Sequence, residues 1–275
     1  MQGVTANKWA KQEAHIVQIS SGPKLGKTDF ATSAPSPLIL IACDLGEVTI
    51  YPGAKREEIL ILDYQDVTRK IGGAGETIPQ RDVFSKLMKA LQEVYTAAKT
   101  QQPLKLEDGT EFPAPKTVVL DGFSRLNTML VDGKLAMNNV LYTDDLPKNI
   151  RFNFWGKRGT DVYTVVQMFA SLSVNVAITS WIKAETKTNT DGQSYETGLL
   201  LPDIGGSNDR KTPGTVASSI MCVSRGGKYY IRTKPDAATP WLGVRNRFDL
   251  PYEVEVTHGP NPTGLTPWEI IFGKQ

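Results

Sequence analysis

Apolar runs separated by turn signals recur as far as Ser180, and their periods alternate between strand and helix. His15-Ile-Val-Gln-Ile-Ser20 reads as a short buried strand. A turn containing Gly and Pro follows, then a helix from about Lys27 to Ser33 that Pro35 and Pro37 end. Leu38-Ile-Leu-Ile-Ala-Cys43 is apolar on both faces, the mark of a central parallel strand, and Ile59-Leu-Ile-Leu62 repeats it. Phe84 to Lys99 carries a helical stripe at Phe84, Leu87, Met88, Leu91, Val94 and Tyr95. Thr117-Val-Val-Leu-Asp121 is a further apolar strand, ending in an acid. Phe123 to Val140 and Val162 to Leu172 read as helices, and Val174 to Ser180 as the next strand.

This alternation predicts an α/β fold with a mainly parallel sheet and helices on both faces. Beyond it the pattern changes. Met221 to Ser224, Arg225-Gly-Gly-Lys228 and Tyr229 to Thr233 read as a β-hairpin, while Pro235 to Pro240 and Gly259 to Pro267 are turn-rich. The expectation is one domain over residues 1–275, with a core of about 14–182 and a C-terminal β elaboration of about 199–275.

Composition narrows the chemistry. The longest apolar run, Leu38 to Cys43, is too short for a bilayer, and Met1 to Glu13 lacks the apolar stretch of a signal peptide, so a cytoplasmic protein is expected. Charged residues make up 22% of the chain, and 31 basic against 29 acidic side chains leave a net charge of +2. That gives no basic coat for nucleic acid, though local patches are compatible with it. Two histidines and two cysteines exclude a His-rich metal site and a zinc ribbon. Cys43 and Cys222 lie in apolar runs and read as buried thiols; His15 and His258 are isolated and read as structural.

The candidate chemistry sits between the first strand and the first helix. Ser21-Gly-Pro-Lys-Leu-Gly26-Lys27-Thr28 matches the phosphate-loop pattern with Ser in place of its first Gly. Small residues let several backbone N–H groups point at one anion, and the following helix adds its positive end. In such a loop Lys27 reaches the outer phosphates and the Thr28 hydroxyl binds Mg²⁺. The stretch Ser21, Gly22, Pro23, Lys24, Leu25, Gly26, Lys27, Thr28 and Asp29 is the expected ATP site. An ordinary tight turn with an exposed lysine is the alternative. Asp121 ends a central strand, where a carboxylate faces the ligand crevice and can hold the metal; it can also cap the following helix. Gly122 follows it, so an acid that orients water must come from elsewhere. Asp44, at the same sheet edge, fits that role or that of a turn residue, with Glu47 as the spare.

The loop Ser21 to Thr28, the run Pro37 to Asp44, the strand Thr117 to Asp121 and the strand Val174 to Ser180 together resemble the phage RecA-like P-loop ATPases, the nucleotide-binding proteins that include single-strand-annealing recombinases. Phe154-Trp155-Gly156 and Val244-Arg-Asn-Arg-Phe248 are softer matches. The resemblance implies a RecA-like core with the strand Val174 to Ser180 between the loop strand and the Asp121 strand. It implies ATP hydrolysis coupled to single-stranded DNA in recombination or repair, assembly into a ring or filament, a phage single-strand-binding protein as partner, and the host cytoplasm as location. It puts Asp44 at the water-activating position. Thr179 and Ser180 fall where the family more often has His or Gln for sensing the γ-phosphate, which makes slow hydrolysis or simple switching the expectation. Arg245 and Arg247 read either as arginines acting in trans or as a solvated basic segment.

Two loops are expected to meet DNA. Pro147 to Arg158 interleaves Lys148, Arg151, Lys157 and Arg158 with Phe152, Phe154 and Trp155, a pattern suited to phosphates and stacked bases or, for the rings, to core packing. Lys183 to Gly198 is polar and near-neutral, and its position suits coupling nucleotide state to a partner. A nucleotide or small-molecule kinase, and a non-hydrolysing assembly protein, are the competing functions.

Overall fold

The computed structural model describes residues 14–44, 48–64, 80–140, 143–206, 208–245, 249–256 and 263–274, the side chains of 80–84 and 152 excepted. Glu47, Arg247, His258 and the Phe84 side chain therefore lie outside the described residues.

The apolar runs become strands β1 (Ile16–Ser21), β2 (Leu38–Ala42), β3 (Ile59–Asp63) and β6 (Thr117–Asp121); β1, β2 and β6 are buried along their whole length. Strands β4 (Leu104–Lys105) and β5 (Glu111–Phe112) form a small separate hairpin. The chain continues through β7 (Asn175–Thr188), β8 (Ser194–Asp203), β9 (Ser218–Arg225), β10 (Lys228–Arg232) and β11 (Glu253–Val256). Nine strands share one sheet in the order β11-β10-β9-β1-β7-β6-β2-β3, with β8 paired to β7. From β9 to β3 every neighbouring pair is parallel, and the pairs of β8, β10 and β11 are antiparallel. β7 does lie between β1 and β6.

Alternation along the buried strands feeds two cores, one on each face. One joins Ile16, Ile39, Val118 and Ile178 to helices α2 (Gln80–Thr100), α3 (Phe123–Met137) and α4 (Lys148–Ala170). The other joins Val17, Leu38, Val119 and Ala177 to α1 (Lys27–Thr32) and α6 (Pro267–Phe272). Trp268 of α6 is fully buried against Phe30, and His15 stacks on Phe272 at 4.6 Å, so His15 is a packing residue. A short helix α5 (Asn208–Thr215) links β8 to β9.

Two expectations need correction. Pro147 to Arg158 is not a loop: Pro147 is the N-cap of α4, which runs unbroken into the helix read at Val162. Phe154, Val162, Val165, Val166 and Phe169 are buried along it, so helical burial outweighed the mixed aromatic-basic composition. Lys183 to Gly198 is not a loop either. It is the outer part of the β7–β8 hairpin, closed by a turn in which the Asn189 side-chain oxygen Oδ1 accepts from the backbone amides of Asp191 and Gln193, at 3.0 and 2.8 Å, and Gly192 takes a φ of +80°.

Candidate functional site

At one edge of the sheet β1 opens into the loop Ser21 to Thr28, β6 and β2 end, and β7 passes with Thr179 to Trp181. Ser21 still belongs to β1 and is buried, so the position needs no glycine there; its hydroxyl donates to the Gly22 carbonyl at 2.8 Å. The turn forces its unusual backbone later, at Lys24 (φ +58°) and Gly26 (φ +80°). Gly26 is the N-cap of α1 and offers no side chain to the first-turn amides, which have no acceptor within the helix. Asp29 sits in that first turn, where the positive end of the helix favours an acid.

Lys27 is only 7% exposed and donates from Nζ to the Gly22 carbonyl at 3.0 Å, folded under the loop. Burial pulls its pKa below the ordinary lysine value, against the pull of Asp44 and Asp121. The Thr28 hydroxyl donates to Asp121, 3.0 Å from each carboxylate oxygen, across 93 positions of sequence. Thr179 on β7 donates to Oδ1 of the same carboxylate at 2.6 Å, and its oxygen accepts from the Gly122 amide at 2.8 Å. Asp121 is 6% exposed, and burial holds its carboxyl above the usual carboxylate range in spite of the two hydroxyls.

Asp44 arrives from β2. The Cys43 amide bonds the Asp121 carbonyl at 2.9 Å, which locks the two strand ends side by side. Gly122 makes the approach possible: a Cβ there would lie 2.6 Å from the Asp44 amide nitrogen, and its φ is +78°. Asp44 accepts from the Trp181 indole N–H at 3.1 Å. A cleft of about 600 Å³ results, lined by the loop residues Pro23 to Asp29 together with Asp44, Val48, Thr49, Asp121, Trp181 and Tyr229. Its size suits a nucleotide-sized ligand.

The structure thus brings Lys27, Thr28, Asp29, Asp44 and Asp121 together. It separates Ser180 from them: that hydroxyl is buried and pairs with Ser20 at 2.9 Å, while its neighbour Thr179 turns to Asp121. Successive strand residues face opposite sides, so only one of the two can meet the carboxylate. Arg245 is exposed, and its amide bonds the Ser218 hydroxyl at 2.9 Å; it is not among the cleft residues. Lys148, Arg151, Trp155 and Lys157 are exposed on α4, and the Arg158 guanidinium lies 4.9 Å from the centre of the half-exposed Trp155 ring. Cys43 and Cys222 are buried, free thiols; burial raises both, Cys222 to about 12, so neither is a nucleophile.

Gly122, Trp181 and Tyr229 were missed by sequence reasoning. A Gly directly after a strand-ending Asp is a visible sign of positive φ, but nothing in the pattern marks the two aromatics. Among the described residues no three His, Cys, Asp or Glu side chains group as metal ligands. A nucleotide-bound Mg²⁺ needs no such group: it takes one or two carboxylates and completes its shell with phosphate and water. The Thr28 hydroxyl beside the Asp121 carboxylate is a hard-oxygen pair of that kind. Compared with known proteins, the chain matches no protein-family model and no curated sequence.

Proposed function

We propose that the protein is a P-loop ATPase of RecA-like type that acts on single-stranded DNA. The observation that carries the nucleotide part is the Thr28 hydroxyl on both oxygens of Asp121, with Lys27 Nζ folded against the loop beside them. A tight turn with a solvated lysine has no reason to bury that lysine. Nor has it reason to hold a carboxylate at the cost of desolvating it. In this reading the loop amides and Lys27 receive the phosphates, and Thr28 and Asp121 hold Mg²⁺. When bound, that ion neutralises charge on the outer phosphates. It is needed, because Lys24 and Lys27 face Asp29, Asp44 and Asp121 in the cleft before any phosphate arrives. Asp44 orients the water that attacks the γ-phosphate, and its carboxylate accepts the proton.

The DNA part rests on α4. The helix ends just before β7 begins, so it runs back along the sheet and brings its N-terminal half to the cleft's edge of the molecule. The Arg158 contact to Asn127 near the start of α3 fixes it there, at 3.0 Å. Lys148, Arg151 and Lys157 would meet phosphates and Trp155 would stack on a base.

ADP release with and without single-stranded DNA tests both parts, with Lys27→Ala as the control. Lys27→Ala is expected to lose ATP binding or to cut turnover by about 100-fold or more, as removal of a charge that holds the transferred group does. Unchanged turnover in that variant rules out the site. Stimulation by DNA supports the DNA reading, and phosphorylation of an added metabolite favours a kinase instead.

A further inference from the structure

β7 begins as a fully buried strand between β1 and β6 and, after Trp181, its last residue paired with β1, runs on past them as the more exposed β7–β8 hairpin. Trp181 is held at that junction by its backbone amide and by its indole. Its amide donates to the Ser124 hydroxyl at 3.0 Å, and that hydroxyl donates to the Asp203 carbonyl at 2.5 Å. Two residues on, Lys183 Nζ lies 2.8 Å from both Asp203 and Asp209, tying the base of the hairpin to α5. Asp209 is itself buried and accepts from the amides of Ile204 and Gly205. The indole, 41% exposed, reaches back over the cleft and donates to Asp44. Ser124 stands one turn after Asp121 and Gly122, so one set of contacts fixes the ends of β2, β6 and β7 relative to each other.

We propose that Trp181 is the positioning residue for Asp44: its indole N–H holds the carboxylate where water is oriented, and it ties that carboxylate to the hairpin base. The proposal rests on the reading of Asp44 given above. Asp44 has two side-chain torsions, and a donor aimed at Oδ2 favours the rotamers that keep that oxygen in place. The donor is neutral, so it fixes direction without removing the charge that an acceptor of a proton needs. Trp181 touches neither phosphate nor water in this scheme and acts only through Asp44.

Trp181→Phe keeps the ring and removes the N–H. Turnover of ATP and affinity for a non-hydrolysable ATP analogue are measured for the wild type, Trp181→Phe, Asp44→Asn and the double variant, with thermal midpoints as a folding control. Trp181→Phe should slow turnover about tenfold and leave analogue affinity within about twofold, a part of the loss expected for Asp44→Asn, about 100-fold. The double variant should be no slower than Asp44→Asn alone, because an orienting contact has nothing left to orient. Full turnover in Trp181→Phe, or losses that multiply in the double variant, overturn the proposal and leave the role of Asp44 standing. Undiminished turnover in Asp44→Asn, or none in the wild type, removes the role of Asp44 and the proposal with it.

Discussion

The phosphate-loop edge and the outer elements α4 and the β7–β8 hairpin (the arm) are built on opposite plans. At the loop edge, side chains far apart in sequence converge on one carboxylate. Thr28 and Thr179 donate to Asp121, Cys43 bonds its backbone, and Asp44 rests on Gly122. Charge there is buried and costly. On the arm, charge lies at or near the surface and pairs with neighbouring elements: Arg151 of α4 with Asp144, Asp161 of α4 with Lys134 of α3, and Glu185 of the hairpin with Arg210 of α5. Pairs of that kind contribute little to stability. Under the proposed function, the buried edge would serve chemistry at a fixed point and the exposed arm contact with a long partner.

The same contrast decides what was legible in the sequence. β2 and β6 are runs of apolar residues, so their burial and parallel pairing could be read from the pattern, and the loop was framed by a short buried strand and a helix. The pairing of Thr28 with Asp121 could be expected because both stand at strand or helix ends of one sheet. The arm gave no such frame. In α4 the residues from Lys148 to Lys157 mix charges and rings, and only the burial of Phe154 against Leu135 and Leu146 supplies the helical period. In the hairpin, Thr-rich polar positions alternate without an apolar face, so the strand signal was absent and only the turn at Asn189 to Gly192 could have revealed it. Trp181 was missed for a related reason: its role depends on meeting Asp44 across the sheet, and no local pattern encodes that meeting.

The largest effect expected from breaking this division falls at Gly122. A methyl group there meets the Asp44 backbone at 2.6 Å in a backbone conformation that L residues disfavour. Gly122→Ala should cost about 2–4 kcal/mol of stability, the sum of a positive-φ penalty and a forced backbone shift. It should cut turnover by about 100-fold, since an acid displaced by about 1 Å no longer meets its water. Denaturant unfolding and ADP release measure the two; a variant with normal values for both would show that the strand ends are not locked together.

On the arm, Trp155→Ala should act on DNA and spare the cleft. Loss of one stacking platform is worth about 1–3 kcal/mol, so affinity for an oligonucleotide should fall about tenfold, read by fluorescence anisotropy. Affinity for an ATP analogue should not change, because Trp155 is 50% exposed and touches Phe154 and Arg158 rather than the loop. Equal loss of both affinities would mean that α4 supports the cleft and that the two regions are not separate.

The smallest effect concerns the cost of the buried carboxylate itself. Burial holds the Asp121 carboxyl above the ordinary Asp value of 3.8, so the folded protein binds that proton more tightly than the unfolded chain does. Stability from this group is therefore greatest at low pH. It falls as pH rises from the unfolded value through the raised folded one, and above that the penalty is fully present. Asp121→Asn removes the penalty but keeps one oxygen to accept from Thr28 or Thr179. In the nucleotide-free protein near neutral pH its thermal midpoint should exceed that of the wild type, since the unfavourable burial of charge is gone. The gap should close below about pH 4, where the wild-type carboxyl is itself protonated. Nucleotide affinity in the presence of Mg²⁺ should move the other way and weaken. A midpoint that drops at neutral pH would mean that the two hydroxyls, at 3.0 and 2.6 Å, stabilise the charge by more than burial costs it, and that the edge is held by its carboxylate rather than in spite of it.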